Sequence, residues 1–166
     1  MEKSKVMEYL DKAQDYANEN SGCTKVAVGS VIVTPKRAKG ETPTIHEVYG
    51  ANRTLPCNCK EMGCKRIELY GEDSKNHRLP SDCRAIHSEV DAISQAAKFG
   101  ISLKGAVMMI TRYPCEACAR AIATTGIKAV YYGRGQVISA ETQRILILAG
   151  IKVVQVTDWT YEDTER

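Results

Sequence analysis

The feature that most constrains this chain is a pair of short runs in its second half, His87-Ser88-Glu89 and, downstream, Pro114-Cys115-Glu116-Ala117-Cys118. One imidazole and two thiols supply three ligands for a zinc ion. Three protein ligands leave a fourth position for water, which separates a catalytic zinc from a closed structural one. Residues i and i+2 do not share a helix face, so His87 and Glu89 can address one ion only from a helix end. Pro114 suits a helix start, where its missing N–H has no intrahelical partner to lose. Cys115 and Cys118 then fall on one face of that helix's first turn. Orphan N–H groups and the positive end of the helix dipole favour thiolates there. The two runs together require two helix starts aimed at one point.

The rest of the chain supplies elements that can do this. Residues 5–20 place Val6, Leu10, Ala13 and Ala17 at helical spacing, with Ser4 as candidate cap and Gly22 as stop. Residues 26–34 are apolar and β-branched and read as a buried strand; Gly29 within it marks a bulge or a close backbone approach. Residues 45–49 are its candidate hairpin partner. A helix over about 84–99, capped by Ser81 or Asp82 and stopped by Gly100, carries His87 and Glu89. Then come a strand (106–111), the helix from Pro114 to Gly126, a strand (128–132), a helix (140–149) and a strand (151–157). This alternation implies an α/β fold with parallel crossovers. The acidic end after Trp159 reads as solvated.

At 166 residues the chain is expected to be one domain, 1–166, with a cysteine-rich insertion at about 51–82. The insertion shows no sustained periodicity and carries Cys57, Cys59, Cys64 and His77. A connection of that length inside a compact domain has to be held by something, and a metal is the expectation. Seven cysteines raise the question of a disulfide framework, but the count is odd and Met1-Glu2-Lys3-Ser4-Lys5 has no apolar signal-peptide core. A reducing cytoplasmic setting with metal-bound thiolates fits better. No apolar run approaches the ~18 residues of a membrane span. The net charge is +3, with Lys and Arg dispersed among Asp and Glu. That argues against a dedicated nucleic-acid binder and leaves an anionic small substrate open.

Each half of the pattern has a plainer reading. A lone C-x-x-C can be a redox pair or half of a structural zinc site, and a lone histidine is more often a core or surface residue. Glu116 reads as a solvated helix-start acid. Lys25, Arg53, Arg112 and Arg134 are candidate phosphate contacts and also ordinary surface charges.

Together the runs make H-x-E…P-C-x-x-C, the established signature of zinc nucleobase deaminases. The longer stretches Cys83-Arg-Ala-Ile-His87-Ser-Glu89-Val-Asp-Ala-Ile93, Thr111-x-x-Pro114-Cys115-x-x-Cys118-Ala-x-Ala-Ile122 and Gly126-Ile-Lys-x-Val130 resemble the deoxycytidylate (dCMP) deaminases, over about residues 26–156. The resemblance implies a cytidine deaminase-like, three-layer α/β/α sandwich around a five-stranded mixed sheet. It implies hydrolytic deamination of dCMP to dUMP and ammonia through a zinc-bound hydroxide, supplying dUMP for thymidylate synthesis. It also implies a homo-oligomer, often a hexamer, regulated by dCTP and dTTP, with Mg2+ accompanying a triphosphate effector. Residue by residue, His87, Cys115 and Cys118 match the zinc ligands and Glu89 the proton shuttle. Asn52 matches a sugar-loop asparagine, and Tyr132 a pocket residue. Some members hold a second, structural zinc, and that pattern points here to Cys23, Cys59, Cys64 and Cys83, with Cys57 spare and His77 competing. Two positions depart from the pattern. Arg53 stands where glycine is usual, and a non-glycine residue tolerates φ > 0 poorly, which weighs against triphosphate regulation. Asp91 stands where asparagine is frequent, turning a neutral donor into an acid. A 5-substituted dCMP also fits. Rival readings are a tRNA adenosine deaminase, a deaminase of a pterin, riboflavin or guanine pathway, and a non-catalytic zinc-stabilised interaction module.

Overall fold

The structure is a computed structural model that describes residues 1–35, 45–54, 59–71, 83–135 and 139–161. In chain order the elements are α1 (Lys3–Asn20), β1 (Gly29–Val33), β2 (Glu47–Ala51), β3 (Arg53–Thr54), α2 (Cys59–Met62), α3 (Lys65–Tyr70) and β4 (Ala85–Ile86), followed by α4 (Ser88–Lys98), β5 (Val107–Arg112), α5 (Glu116–Ala123), β6 (Ala129–Arg134), α6 (Ala140–Leu148) and β7 (Lys152–Gln155).

The main sheet has five strands in the order β2-β1-β5-β6-β7. β1 is antiparallel to both β2 and β5, whereas β5, β6 and β7 run parallel. The sheet is therefore mixed, and the parallel half is the part the strand–helix alternation demanded. The central strands are apolar on both faces because both are covered. On one face α1 packs through Val6, Tyr9, Leu10 and Ala13 against Val31, Val33 and Met109. On the other, α4, α5 and α6 bring Ala92, Ala96, Ala119, Ile122 and Leu146 onto Ile32, Met108, Ile110 and Val130. This is the expected three-layer α/β/α sandwich.

Glycine sets how closely two layers approach. A Cβ at Gly29 would stand 1.8 Å from the Ala13 carbonyl oxygen, so α1 rests directly on the β1 backbone. Close approach, and not a bulge, is the reason for glycine at this point.

Some boundaries differ from the sequence reading. α1 starts at Lys3 behind Glu2, with no side-chain cap, so Ser4 lies inside the helix. β1 starts at Gly29, three residues later than expected. α4 begins at Ser88 and not near residue 84, because Ala85 and Ile86 pair with Thr54 and Arg53 as a two-stranded ladder. The expected caps Ser81 and Asp82 lie outside the described residues. The insertion is not structureless: β3, α2, α3 and β4 belong to it or flank it, each too short to show a period. At the far end Trp159 is buried, and its indole Nε1 donates to Asp11 at 2.8 Å. Tyr161 donates to Asp15, so the chain stays attached to α1 beyond the point expected to be solvated. Among the described residues no helix is long and apolar enough to cross a membrane.

Candidate metal centre and active site

The parallel strand β5 delivers its carboxyl end to the loop before α5. In open α/β sheets the crevice outside such strand ends is where ligands bind. Here the extended backbone of β4 runs into His87, which is the N-cap of α4 (φ −71°, ψ 151°). Cys115 is likewise the N-cap of α5 (φ −80°, ψ 169°). The two helix starts required by the sequence spacing therefore both exist, with the first ligand of each run at a cap and Cys118 one turn further on.

The three side chains meet. His87 Nδ1 is 3.4 Å from Cys115 Sγ and 3.4 Å from Cys118 Sγ, and all three donor atoms lie within 4.8 Å of one another. This is the one His/Cys/Asp/Glu cluster close enough to hold an ion among the described residues. A soft donor set of two sulfurs and one nitrogen suits zinc, and Nδ1 is the nitrogen that would ligate. A hydrogen bond from Cys118 pushes the Cys115 thiol down to about 4, while the same bond and burial push Cys118 up. A cation bound by both sulfurs would displace the thiol proton between them. The Cys115 hydrogen bond raises the His87 pKa against its burial. Among the described residues there is no equivalent cluster for Mg2+ with a triphosphate effector.

Glu89 is buried beside these groups at 4% exposure. Burial pushes its carboxyl pKa up, opposed by its backbone hydrogen bond and the His87 charge. Ser88 Oγ donates to its Oε2 at 3.1 Å. Ser88 is itself fixed, since its carbonyl accepts from Ser30 Oγ at 2.7 Å. The start of α4 is therefore pinned to β1. Glu116 is partly exposed and ion-paired to Arg120 one turn along α5, consistent with a solvated helix-start acid.

Above these groups opens a cavity of about 280 Å3, whose lining includes Asn52, Arg66, Arg112 and Tyr113 as well as His87 and Glu89. Asn52 reaches it, but most of its amide is already engaged. Oδ1 accepts from Ser21 Oγ and Val28 N, both at 2.8 Å, and Nδ2 donates to Val26 O at 2.9 Å. It braces the 21–28 segment and leaves, among the described residues, one Nδ2 hydrogen for a ligand. Tyr132 is not in the lining: its hydroxyl donates to Gln155 at 3.3 Å, and its ring packs edge-on against Tyr113 at 4.8 Å. The pocket aromatic is Tyr113, whose position immediately before Pro114-Cys115 was an available signal. Arg66 was also missed, because the insertion was read only for its cysteines.

The two departures from the family pattern explain each other. Arg53 Nε sits 2.8 Å from Asp91 Oδ2. The same oxygen accepts from Ala51 N at 3.0 Å, and Gln95 Nε2 donates to Oδ1 at 3.3 Å. Arg53 also donates to Tyr16 Oη at 2.8 Å. No described non-glycine residue has a positive φ, so Arg53 causes none of the backbone strain expected of it. The pair ties the end of β2 to the first turn of α4. A double-mutant cycle with Arg53→Ala and Asp91→Asn is expected to show a coupling of about 1–2 kcal/mol in urea unfolding, and additive effects would refute the latch.

Cys23, Cys59, Cys64 and Cys83 line a second cavity of about 170 Å3. All four are free thiols, and the pKa of buried Cys59 is raised by desolvation and then by its three neighbours. The structure gathers the four but does not draw them into a cluster as tight as that at His87. Cys57 and His77 lie outside the described residues. Lys25 lines this cavity, not the first, and Arg134 lies over the Trp159 ring at 5.3 Å.

A mixed α/β/α sandwich with a His/Cys/Cys cluster that could hold a metal, and a buried glutamate at paired helix starts, has the fold and site of a deaminase. The profile of the MafB19-like deaminases matches residues 4–163, and the chain belongs to that family. It is 32% identical over 136 residues to ComE operon protein 2 of Bacillus subtilis (strain 168), covering 82% of this chain and 63% of that one. It is 30% identical over 147 residues to the deoxycytidylate deaminase of Saccharomyces cerevisiae, covering 89% of this chain and 43% of that one. The chain thus spans less than two-thirds of the length of either relative. Its fold is similar to that of the dCMP deaminase from the cyanophage S-TIM5, solved in complex with dCMP and dUMP, with a TM-score of 0.63 at 22% identity over 93% of this chain and 98% of that one.

Proposed function

We propose that this chain is a zinc-dependent hydrolase that deaminates dCMP, or a close 5-substituted relative, to the uracil nucleotide and ammonia, supplying dUMP for thymidylate synthesis. The observation that carries the reading is the buried Glu89 carboxylate beside a three-donor cluster, with Glu89, His87 and Cys115 lining one cavity. His87, Cys115 and Cys118 would hold the zinc. When bound, zinc supplies Lewis-acid chemistry and lowers the pKa of water at its free position toward neutrality. Glu89 takes a proton from the attacking water and delivers protons to the ring nitrogen and the departing amine. One C–O bond forms, the exocyclic C–N bond breaks, and ammonia leaves. The buried carboxyl, with its raised pKa, suits a group that must both accept and release protons. Asn52 holds the nucleotide with its remaining amide hydrogen, and Tyr113 walls the pocket.

The test is ammonia release from dCMP by the zinc-loaded chain. Turnover of free deoxycytidine but not dCMP would remove the nucleotide reading, and turnover of neither would remove the substrate class. We further propose a structural zinc at Cys23, Cys59, Cys64 and Cys83, where four thiolates would leave no open position. Metal analysis is then expected to find two zinc ions per chain, and a ratio of one would exclude the second site. Assembly as a homo-oligomer in the cytoplasm completes the proposal. The exposed Phe99, Ile147 and Leu148 offer apolar surface for contact between copies.

A further inference from the structure

We propose that Arg66, carried to the site by the cysteine-rich insertion, is the residue that recognises the 5′-phosphate of a mononucleotide substrate. The inference deepens the deaminase reading and rests on it for the identity of the ligand. Arg66 lines both the 280 Å3 site cavity and the 170 Å3 cysteine cavity, so it stands in the wall between them. It is the second residue of α3, which follows Cys64 directly, and its side chain is half-buried.

The cavity is polarised. Glu89 is the one acid among the described residues of its lining and is buried, whereas Arg66 and Arg112, both less buried, are the cationic side chains there. Such a split fits a ligand with an uncharged ring at one end and a dianion at the other. At 280 Å3 the cavity is near the lower end of small-molecule sites, the size of one nucleotide and not of a polymer.

The other cations discussed above are placed differently. Arg53 is held by Asp91 and Tyr16. Arg84 forks onto Glu68 at 3.1 and 3.0 Å. Lys25 opens on the cysteine cavity, and Arg134 lies over Trp159. Arg112 reaches the site but is exposed, where water screens it. Arg66 alone among these joins partial burial to a place in the lining, and a guanidinium matches phosphate as a planar fork.

Steady-state deamination of dCMP and of deoxycytidine by the zinc-loaded full chain tests this, with wild type, Arg66→Ala and Arg66→Lys. Arg66→Ala is expected to raise KM for dCMP by about 10- to 100-fold, the loss of one charge-assisted fork. kcat/KM for deoxycytidine should stay within about twofold, as for a substitution away from the base. Arg66→Lys should fall between, keeping charge without the fork. Equal losses on both substrates would overturn the assignment. Calorimetric binding of dUMP and deoxyuridine reads the same contact without turnover. Selective weakening of dUMP supports the phosphate contact even if wild type turns over neither substrate, in which case the deaminase reading fails and Arg66 stands. Unchanged dUMP affinity overturns Arg66 and leaves the reaction untouched. Should Arg66→Ala not fold, Arg66→Lys decides by the same ratios.

Discussion

Glu89→Gln is expected to retain its zinc and to lose about 10²- to 10⁴-fold in kcat for ammonia release, the range for a positioned general acid–base. The substitution is nearly isosteric, and the glutamine oxygen can still accept from Ser88 Oγ at the 3.1 Å position. What disappears is the ability to bind and release a proton. The side chain is 4% exposed, so solvent cannot readily act as the substitute proton carrier. Metal content should be unchanged, because His87, Cys115 and Cys118 already supply the donor set. Loss of zinc along with activity would make Glu89 a ligand. Activity within tenfold of wild type would remove it from the chemistry altogether.

The second large effect is placed away from the donor atoms. Gly50→Ala is expected to destabilise the chain by about 3 kcal/mol, the upper part of the usual overpacking range. For a domain of this size that lowers Tm by roughly 6–12 °C. Gly50 pairs with Ser30 across β1 and β2. A Cβ there would stand 2.2 Å from the Ser88 carbonyl oxygen and 2.5 Å from Ala92 N. Both are backbone atoms of the α4 start, so no side-chain rotation relieves the clash. The helix must move, and Ser88 lies between His87 and Glu89. The folded fraction should therefore also lose about 10²-fold in kcat, the scale for a misplacement near 1 Å. Thermal unfolding and turnover measured on one preparation separate the two losses. A stable variant with normal turnover would show that β2 and α4 do not need this approach.

Where the sequence was legible, the reason was chemical restriction. Few structures other than a metal centre ask for His87 and Glu89 two apart and Cys115 and Cys118 three apart behind a proline, and the helix-end geometry followed from those spacings. The parallel half of the sheet was legible because β5, β6 and β7 alternate with α5 and α6, elements long enough to show a period. The insertion was not, because β3, α2, α3 and β4 are too short. The start of α4 was misplaced because nothing in Ala85-Ile86 announces that β3 will recruit them as a strand. Arg66 and Tyr113 were overlooked for a different reason. The insertion was read for its cysteines alone, and the position next to Pro114-Cys115 was not weighed. Tyr132 was carried over by likeness and sits one ring behind the surface it was expected to form.

The ion pair at the end of β2 also constrains how its two positions can be changed. The Arg53 side chain keeps 26% of its exposure and Asp91 only 6%. A solitary arginine could stay hydrated, whereas a solitary aspartate would be an uncompensated charge in the interior. Of the two substitutions that break the pair, only the one that removes the acid avoids that burden. With the acid in place the arginine cannot be replaced alone, so the two positions should be exchanged as a unit in any graft of this site onto a relative.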